Sequence, residues 1–248
     1  MGKEIEIQVL DVNREAVLKK LKSEYGAGLV QEHGLTRMIR STYHTCNGQT
    51  RKVESFARVR KENGDTTITV KVYNDPKFPS EYEIATKNSY DEARELMLAL
   101  NLQEKAVQET YREKWHLPAA TGIKEITFDL VPGIPMYMEV EAASENELVA
   151  FLDMLGVAED KKRTGAYSAR YAEYYGIPKS VIENETPLLT FADAGKSLKP
   201  TKNAAMLKRV LAQQHKLIDA KSGSKPSKSG KKTLKKNKAN KKKIDKMF

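Results

Sequence analysis

The sequence holds a single cysteine, Cys46, so no intrachain disulfide can form and neither a C-x-x-C pair nor a Cys/His zinc cluster can be assembled. Such scarcity fits a reducing, intracellular compartment, most simply the cytoplasm. Long apolar runs are missing too. No stretch approaches the roughly 18 uninterrupted apolar residues of a membrane-spanning helix, and the opening Met-Gly-Lys-Glu-Ile-Glu-Ile has no apolar h-region. A soluble, unprocessed chain is expected. The four histidines, His33, His44, His116 and His215, stand at no metal-ligand spacing, and no repeat of about 20 to 50 residues is visible.

Charge is abundant but unevenly placed. The chain carries 43 Lys+Arg against 33 Asp+Glu, a net +10 that by itself would suggest a nucleic-acid partner. From Lys196 to Phe248 there are 18 bases and two acids, a balance of +16, so residues 1 to 195 carry −6. The body is acidic and the tail basic. Residues 1–195 are expected to form one domain, with an aromatic helical cap over 157–195 around Tyr167, Tyr171, Tyr174 and Tyr175. Residues 196–248 form a tail with one plausible helix at Asn203–Ile218. Beyond it, 12 lysines in the last 28 residues leave too little apolar surface to offset the entropy of ordering, so disorder is expected there.

Period-two alternation marks strands at Glu4–Leu10, Val53–Arg60, Thr66–Tyr73, Glu81–Lys87, Val107–Leu117, Lys124–Val131 and Met136–Ala142, with a broad β-like region at Thr36–Thr45. Asn63-Gly64 is a strong hairpin signal, and Pro132 to Pro135 reads as a second turn because proline cannot sit inside paired strands. Helical spacing appears at Arg14–Tyr25, capped by Asp11 or Asn13 and stopped by Gly26 and Gly28. Capping boxes at Ser89-x-x-Glu92 and Ser144-x-x-Glu147 open helices through Leu96, Leu98 and Leu100 and through Leu148, Phe151, Leu152 and Leu155. Eight strands and three helices by residue 156 predict an α+β fold.

Each strand has an ionic and an apolar face. The ionic faces carry Glu4, Glu6 and Gln8; Glu54, Phe56, Arg58 and Arg60; Thr67, Thr69 and Lys71; Glu81, Glu83 and Lys87; Thr110, Arg112 and Lys114; Asp129; and Glu139 and Glu141. Taken singly, such strands could show water their polar face. As a set, two E-x-E pairs at opposite ends of the domain with an R-x-R between them favour closure into an eight-stranded antiparallel β-barrel. Its helices would pack outside and its tunnel would be wide enough for one small ligand. Trp115 and Tyr111, flanking Arg112, are expected to pack outward against a helix.

These motifs resemble the CYTH family, the triphosphate tunnel metalloenzymes. Glu4-Ile5-Glu6-Ile7-Gln8 is similar to the family's E-x-E-x-K with glutamine in the last position, and Arg58-Val59-Arg60 with Thr69-Val70-Lys71 resembles R-x-R and T-x-K. Glu81-Tyr82-Glu83 resembles the acidic fifth strand, Thr110-Tyr111-Arg112 the K-x-R strand without its lysine, and Asp129 with Glu139-Val140-Glu141 the closing D…E-x-E. The resemblance spans about residues 3 to 156 in the family's order.

By that resemblance Glu4, Glu6, Glu139 and Glu141, with Asp129 nearby, hold one or two Mg2+ or Mn2+, hard cations that keep oxygen ligands and often bind through phosphates. Arg58, Arg60, Lys71 and Arg112, with Lys87 and Lys114, bind the triphosphate, arginine through its fork and lysine as a point charge. Arg112 stabilises charge in the reaction, and a water set by the metal or by Glu81 and Glu83 attacks the terminal phosphorus. Hydrolysis of inorganic, nucleoside or thiamine triphosphate is the expected activity. The alternatives are a class IV-type adenylate cyclase giving cyclic AMP and pyrophosphate, an RNA 5′-triphosphatase, and a polyanion-binding module of low activity motivated by Gln8 and Thr110. The tail adds a possible non-specific nucleic-acid contact through counterion release, or serves solubility alone.

Overall fold

The computed structural model of the chain describes residues 2–3, 5–44, 55–73 and 80–222. Glu4, Cys46, Glu54, residues 74–79 and the lysine-rich stretch from 223 onward lie outside the described residues. In chain order the elements are β1 (Gly2–Lys3), β2 (Ile5–Val9), α1 (Arg14–Tyr25), β3 (Val30–His44), β4 (Ser55–Glu62), β5 (Asp65–Val72), β6 (Ser80–Thr86) and α2 (Tyr90–Ala99). There follow β7 (Glu104–His116), β8 (Ile123–Val131), β9 (Ile134–Ala142), α3 (Glu145–Leu155), β10 (Lys162–Arg163), α4 (Ser168–Tyr175), α5 (Lys179–Asn184), β11 (Leu188–Leu189), α6 (Ala194–Ser197) and α7 (Ala204–Ser222). The eight expected strands are β2 to β9. The chain through His215 is one compact unit, and the contacts below lie within it.

Local chemistry sets the element ends. Asn13 caps α1 by accepting from the Ala16 N–H at 3.0 Å, and Gly26, at φ +52°, stops it. Ser89 and Glu92 form the reciprocal capping box of α2. Asn63 and Gly64, at φ +49° and +96°, join β4 to β5 in the two-residue turn that matches strand twist. In α2 the buried side chains are Tyr90, Ala93 and Met97, which face β4 and β5, while Leu96 and Leu98 are exposed.

The strands pair in the order β1-β6-β5-β4-β3-β7-β8-β9-β2-β10, with β11 parallel beside β7 and every other ladder antiparallel. The expected closed barrel is corrected here: the sheet is not closed. Closure would seat β6 against the free edge of β2, but β10 takes that edge, pairing Arg163 with Gln8 and Lys162 with Val9. The path still curls on itself, because β1 on β6 and β2 on β9 are separated by one residue of chain.

Apolar faces point outward, towards the helices. One cluster joins Val9, Trp115, Ile126, Phe128, Met138 and Val140 to Leu18 and Leu21 of α1 and to Leu148, Phe151 and Leu152 of α3. Another joins Tyr43, Ala57 and Val59 to α2. Trp115 thus packs outward as expected. Its indole N–H donates to Glu113, a buried carboxylate also held by Arg14 at 2.6 Å.

The β8–β9 turn departs from the sequence reading. It contains only Pro132 and Gly133, and Pro135 lies inside β9, next to an irregularity between Asp129 and Val131 that relaxes the ladder. The turn is buried, so its backbone groups need partners. Tyr171 Oη donates to Pro132 O at 2.7 Å and Tyr175 Oη to Gly133 O at 2.5 Å. Gln214 Nε2 donates to Val131 O at 2.8 Å and Ile134 O at 2.7 Å, while its Oε1 accepts from Gly133 N–H at 2.9 Å. Helix α4, from the expected cap, and α7, from the stretch expected to be a tail, therefore both clamp the hairpin that carries Asp129, Glu139 and Glu141, so residues up to His215 pack with the body. Gly133, at φ +81°, has no room for a Cβ, which would meet Leu207 Cδ1 at 2.5 Å.

Candidate functional site

With apolar side chains turned out, the alternate residues of the same strands face one cavity of about 370 Å³. It is lined by Glu6, Gln8, Phe56, Arg58, Arg60, Lys71, Glu81, Glu83, Thr110, Arg112, Lys114, Asp129, Glu139 and Glu141, all read from the sequence as one ionic face. Lys87 does not join them; it is exposed, one residue past the end of β6. Glu4 lies outside the described residues.

Strand register sorts the charges into two groups. On β4, β5 and β6, Arg58 stands beside Thr69 and Thr69 beside Glu83, while Lys71 stands between Phe56 and Glu81. Arg58 Nη2 reaches Glu81 at 3.2 Å, Glu83 at 3.4 Å and Thr69 Oγ1 at 3.2 Å, and Thr69 donates to Glu83 at 2.6 Å. Arg60 contacts Glu83 at 3.4 Å and Lys71 contacts Glu81 at 3.5 Å. Burial pushes the Arg58 guanidinium down to about 10, helped by Arg60 and Arg40 and opposed by Glu81 and Glu83.

The second group lies on β2, β9, β8 and β7. Glu6 faces Glu141, and Glu141 faces Glu125, so three carboxylates stand in register across three strands. The next row is Gln8, Glu139 and Thr127, with Gln8 Nε2 donating to Glu139 at 3.0 Å. Arg112 grips Asp129 through Nε at 2.7 Å and Nη2 at 2.6 Å, and Glu139 through Nη2 at 2.7 Å; Lys114 holds Glu125 at 3.1 Å. Burial pushes the Asp129 carboxyl up to about 6, with Glu139 adding to the effect and Arg112 opposing it. Arg112 moves well above its ordinary value: burial works against its charge, but Asp129 and Glu139 outweigh that.

The donor chemistry fits a hard divalent cation. Glu6, Glu141 and Glu125 stand directly opposite one another, where like charges repel; these carboxylates, or Asp129 and Glu139 on the diagonal, could hold a cation, whose charge would relieve the repulsion. Among the described residues, no three Asp, Glu, His or Cys side chains converge into a ready cation cage. The carboxylates would have to turn away from their present partners to form one.

Several lining residues were not read as part of the site from the sequence: Arg40 on β3, Glu125 and Thr127 on β8, Tyr137 on β9, and Tyr167 ahead of α4. Glu125 and Thr127 share the parity of Asp129, so alternation alone could have found them. Arg40 lay in the region where no faces were assigned. Tyr167 was read as a cap aromatic, and nothing local shows that it reaches the cavity.

A family model described as CYTH domain matches residues 2–167. Among solved structures, a putative adenylate cyclase from Vibrio parahaemolyticus superposes with a TM-score of 0.56 at 14% identity, covering 68% of this chain and 97% of that one. The PH1012 protein of Pyrococcus horikoshii OT3 gives 0.52 at 20% identity, over 66% and 96% of the two chains. The PH1819 protein of the same organism gives 0.52 at 21% identity, over 68% and 98%. No curated protein sequence matches the chain significantly.

Proposed function

The chain belongs to the CYTH family, and on that premise we propose that its cavity binds a triphosphate with Mg2+ or Mn2+ and hydrolyses the terminal phosphate. The observation that carries this reading is one cavity lined by Arg40, Arg58, Arg60, Lys71, Arg112 and Lys114 facing Glu6, Glu125, Asp129, Glu139 and Glu141. A site whose two groups each hold cations and carboxylates suits a ligand that is itself a polyanion with a cation attached.

In this reading Arg58, Arg60 and Lys71 take one part of the triphosphate chain and Arg112 and Lys114 another. Glu81 and Glu83, tied to Arg58, Arg60, Lys71 and Thr69, orient those cations and accept a proton from a water held beside them. Glu6, Glu139, Glu141 and Asp129, with Glu125 as a further candidate, would hold the divalent ion, and Glu4 joins them by resemblance. When bound, that ion supplies charge neutralisation at the phosphate oxygens. Phosphoryl transfer needs positioning and charge stabilisation above all, which such a lining provides.

The test is a substrate panel of tripolyphosphate, ATP and thiamine triphosphate with Mg2+ or Mn2+, products being separated by chromatography. Orthophosphate release supports hydrolysis. Cyclic AMP with pyrophosphate would make the protein a cyclase instead, and no product from any substrate would sink the proposal.

A further inference from the structure

Thr110 stands where the resembling motif carries a lysine, so the cavity is one cation short on β7. The structure brings another cation to that spot. Arg40 lies on β3 between Arg60 of β4 and Gln108 of β7, and its Nη2 reaches Thr110 Oγ1 at 3.5 Å. Its guanidinium sits over the ring of Tyr167, 5.1 Å from the centroid, and Tyr167 Oη in turn donates to Gln108 at 2.5 Å. Stacking of this kind fixes the plane of the group while its edge stays available for hydrogen bonds.

The charge environment of Arg40 differs from that of every other cation in the cavity. Arg58, Arg60, Lys71, Arg112 and Lys114 each hold at least one carboxylate. Among the described residues, Arg40 holds none. Its Nε is buried without a hydrogen-bond partner, as are the Nε atoms of Arg58 and Arg60. Three guanidinium groups thus converge on one wall, one of them with no counter-charge, and each keeps a donor unsatisfied. Such an arrangement is costly unless an anion completes it.

We infer that Arg40 is a phosphate-binding residue that supplies, from β3, the positive charge position 110 lacks. The inference rests on the proposed triphosphate site and adds to it a residue and a division of labour. A guanidinium here can donate two parallel hydrogen bonds to a phosphate, where a lysine from β7 would offer a point charge.

Calorimetric titration with tripolyphosphate, without metal, tests this on wild type, Arg40→Ala, Arg40→Gln and the double variant Arg40→Ala/Thr110→Lys. Truncating Arg40 is expected to weaken binding about 10- to 100-fold, the worth of a charge-assisted hydrogen bond. Arg40→Gln keeps much of the side-chain length over Tyr167 and should lose as much, separating charge from packing. The double variant places a lysine in the vacated space and should return to within about threefold of wild type, which a merely structural role for Arg40 would not produce. If wild type binds and the Arg40 variants bind equally well, or if the added lysine rescues nothing, this inference falls alone. A wild type that binds no tripolyphosphate overturns the proposed site and this inference with it.

Discussion

Arg112 donates to both carboxylate oxygens of Asp129, at 2.7 and 2.6 Å, and also to Glu139 at 2.7 Å. The cation proposed to hold substrate is therefore the counter-ion of two carboxylates proposed to hold metal. A divalent ion held by Asp129 and Glu139 would loosen both from Arg112 and free its donors for phosphate. Metal and triphosphate are expected to bind with positive coupling, equal in both directions.

Asp129→Asn exposes that coupling. It removes a negative charge from the phosphate's path and releases part of Arg112, so metal-free tripolyphosphate should bind about tenfold tighter. Turnover with Mg2+ should instead fall about 100-fold or more. Calorimetry and phosphate release on the same preparation measure both; equal weakening of binding and turnover would contradict the shared role.

Two cations of the expected substrate-binding set should behave differently. Arg58 is buried and aimed into the cavity, and Arg58→Ala is expected to lower turnover about 100- to 1000-fold. Lys87 is exposed and outside it, so Lys87→Ala should stay within about twofold. Steady-state kinetics of the pair shows whether the cavity or the sequence alternation defines the substrate-binding set.

Gln214 is 2% exposed and makes three hydrogen bonds to the β8–β9 turn. Gln214→Ala leaves those backbone groups buried and unpaired, which costs about 2–5 kcal/mol and lowers the melting temperature by on the order of 10 °C. Thermal unfolding checks this. Gln214→Glu should be no better than alanine, because a carboxylate cannot donate to Val131 O and Ile134 O.

His116 gives a pH signature. Its Nδ1 faces Lys124 O at 3.1 Å and its Nε2 faces Glu32, two acceptors that only the protonated ring satisfies together. The hydrogen bond to Glu32 raises the His116 pKa above 6.5, with burial opposing it. A raised pKa means that the stabilisation is fully present below about pH 6.5 and is lost as pH rises through the folded-state value. Wild type should exceed His116→Gln by up to about 1 kcal/mol at acid pH and match it at about pH 9 in urea denaturation. An advantage that grows with pH would reverse the assignment.

Alternation and capping made most of the secondary structure legible. The helix at Arg14–Tyr25 appears with the same bounds, the Asn63-Gly64 hairpin and the Ser89 capping box form as read, and the parity of Arg58, Arg60, Arg112, Glu139 and Glu141 placed them on one face. These features depend on a residue and its near neighbours, which a linear pattern records. That the ionic face is the inner one followed only from the improbability of so many paired charges as a solvent surface.

What tertiary structure decided lies in contacts between distant segments. Whether the sheet closes depends on which strand takes the free edge of β2, and Lys162 and Arg163, some 150 residues away, take it. Pro135 fits inside a strand because the β8–β9 ladder is irregular beside it, while Tyr171, Tyr175 and Gln214 take up the carbonyls of the adjoining turn. Arg40 becomes part of the site because β3 is seated between β4 and β7 and because Tyr167 arrives from the cap. The sequence by itself determined the strands, their inward charges and the family motifs, since each is a local pattern. The edge partners, the clamp on the hairpin and the cation beside Thr110 were decided by the fold, since each is a meeting of residues whose spacing along the chain carries no trace of their nearness in space.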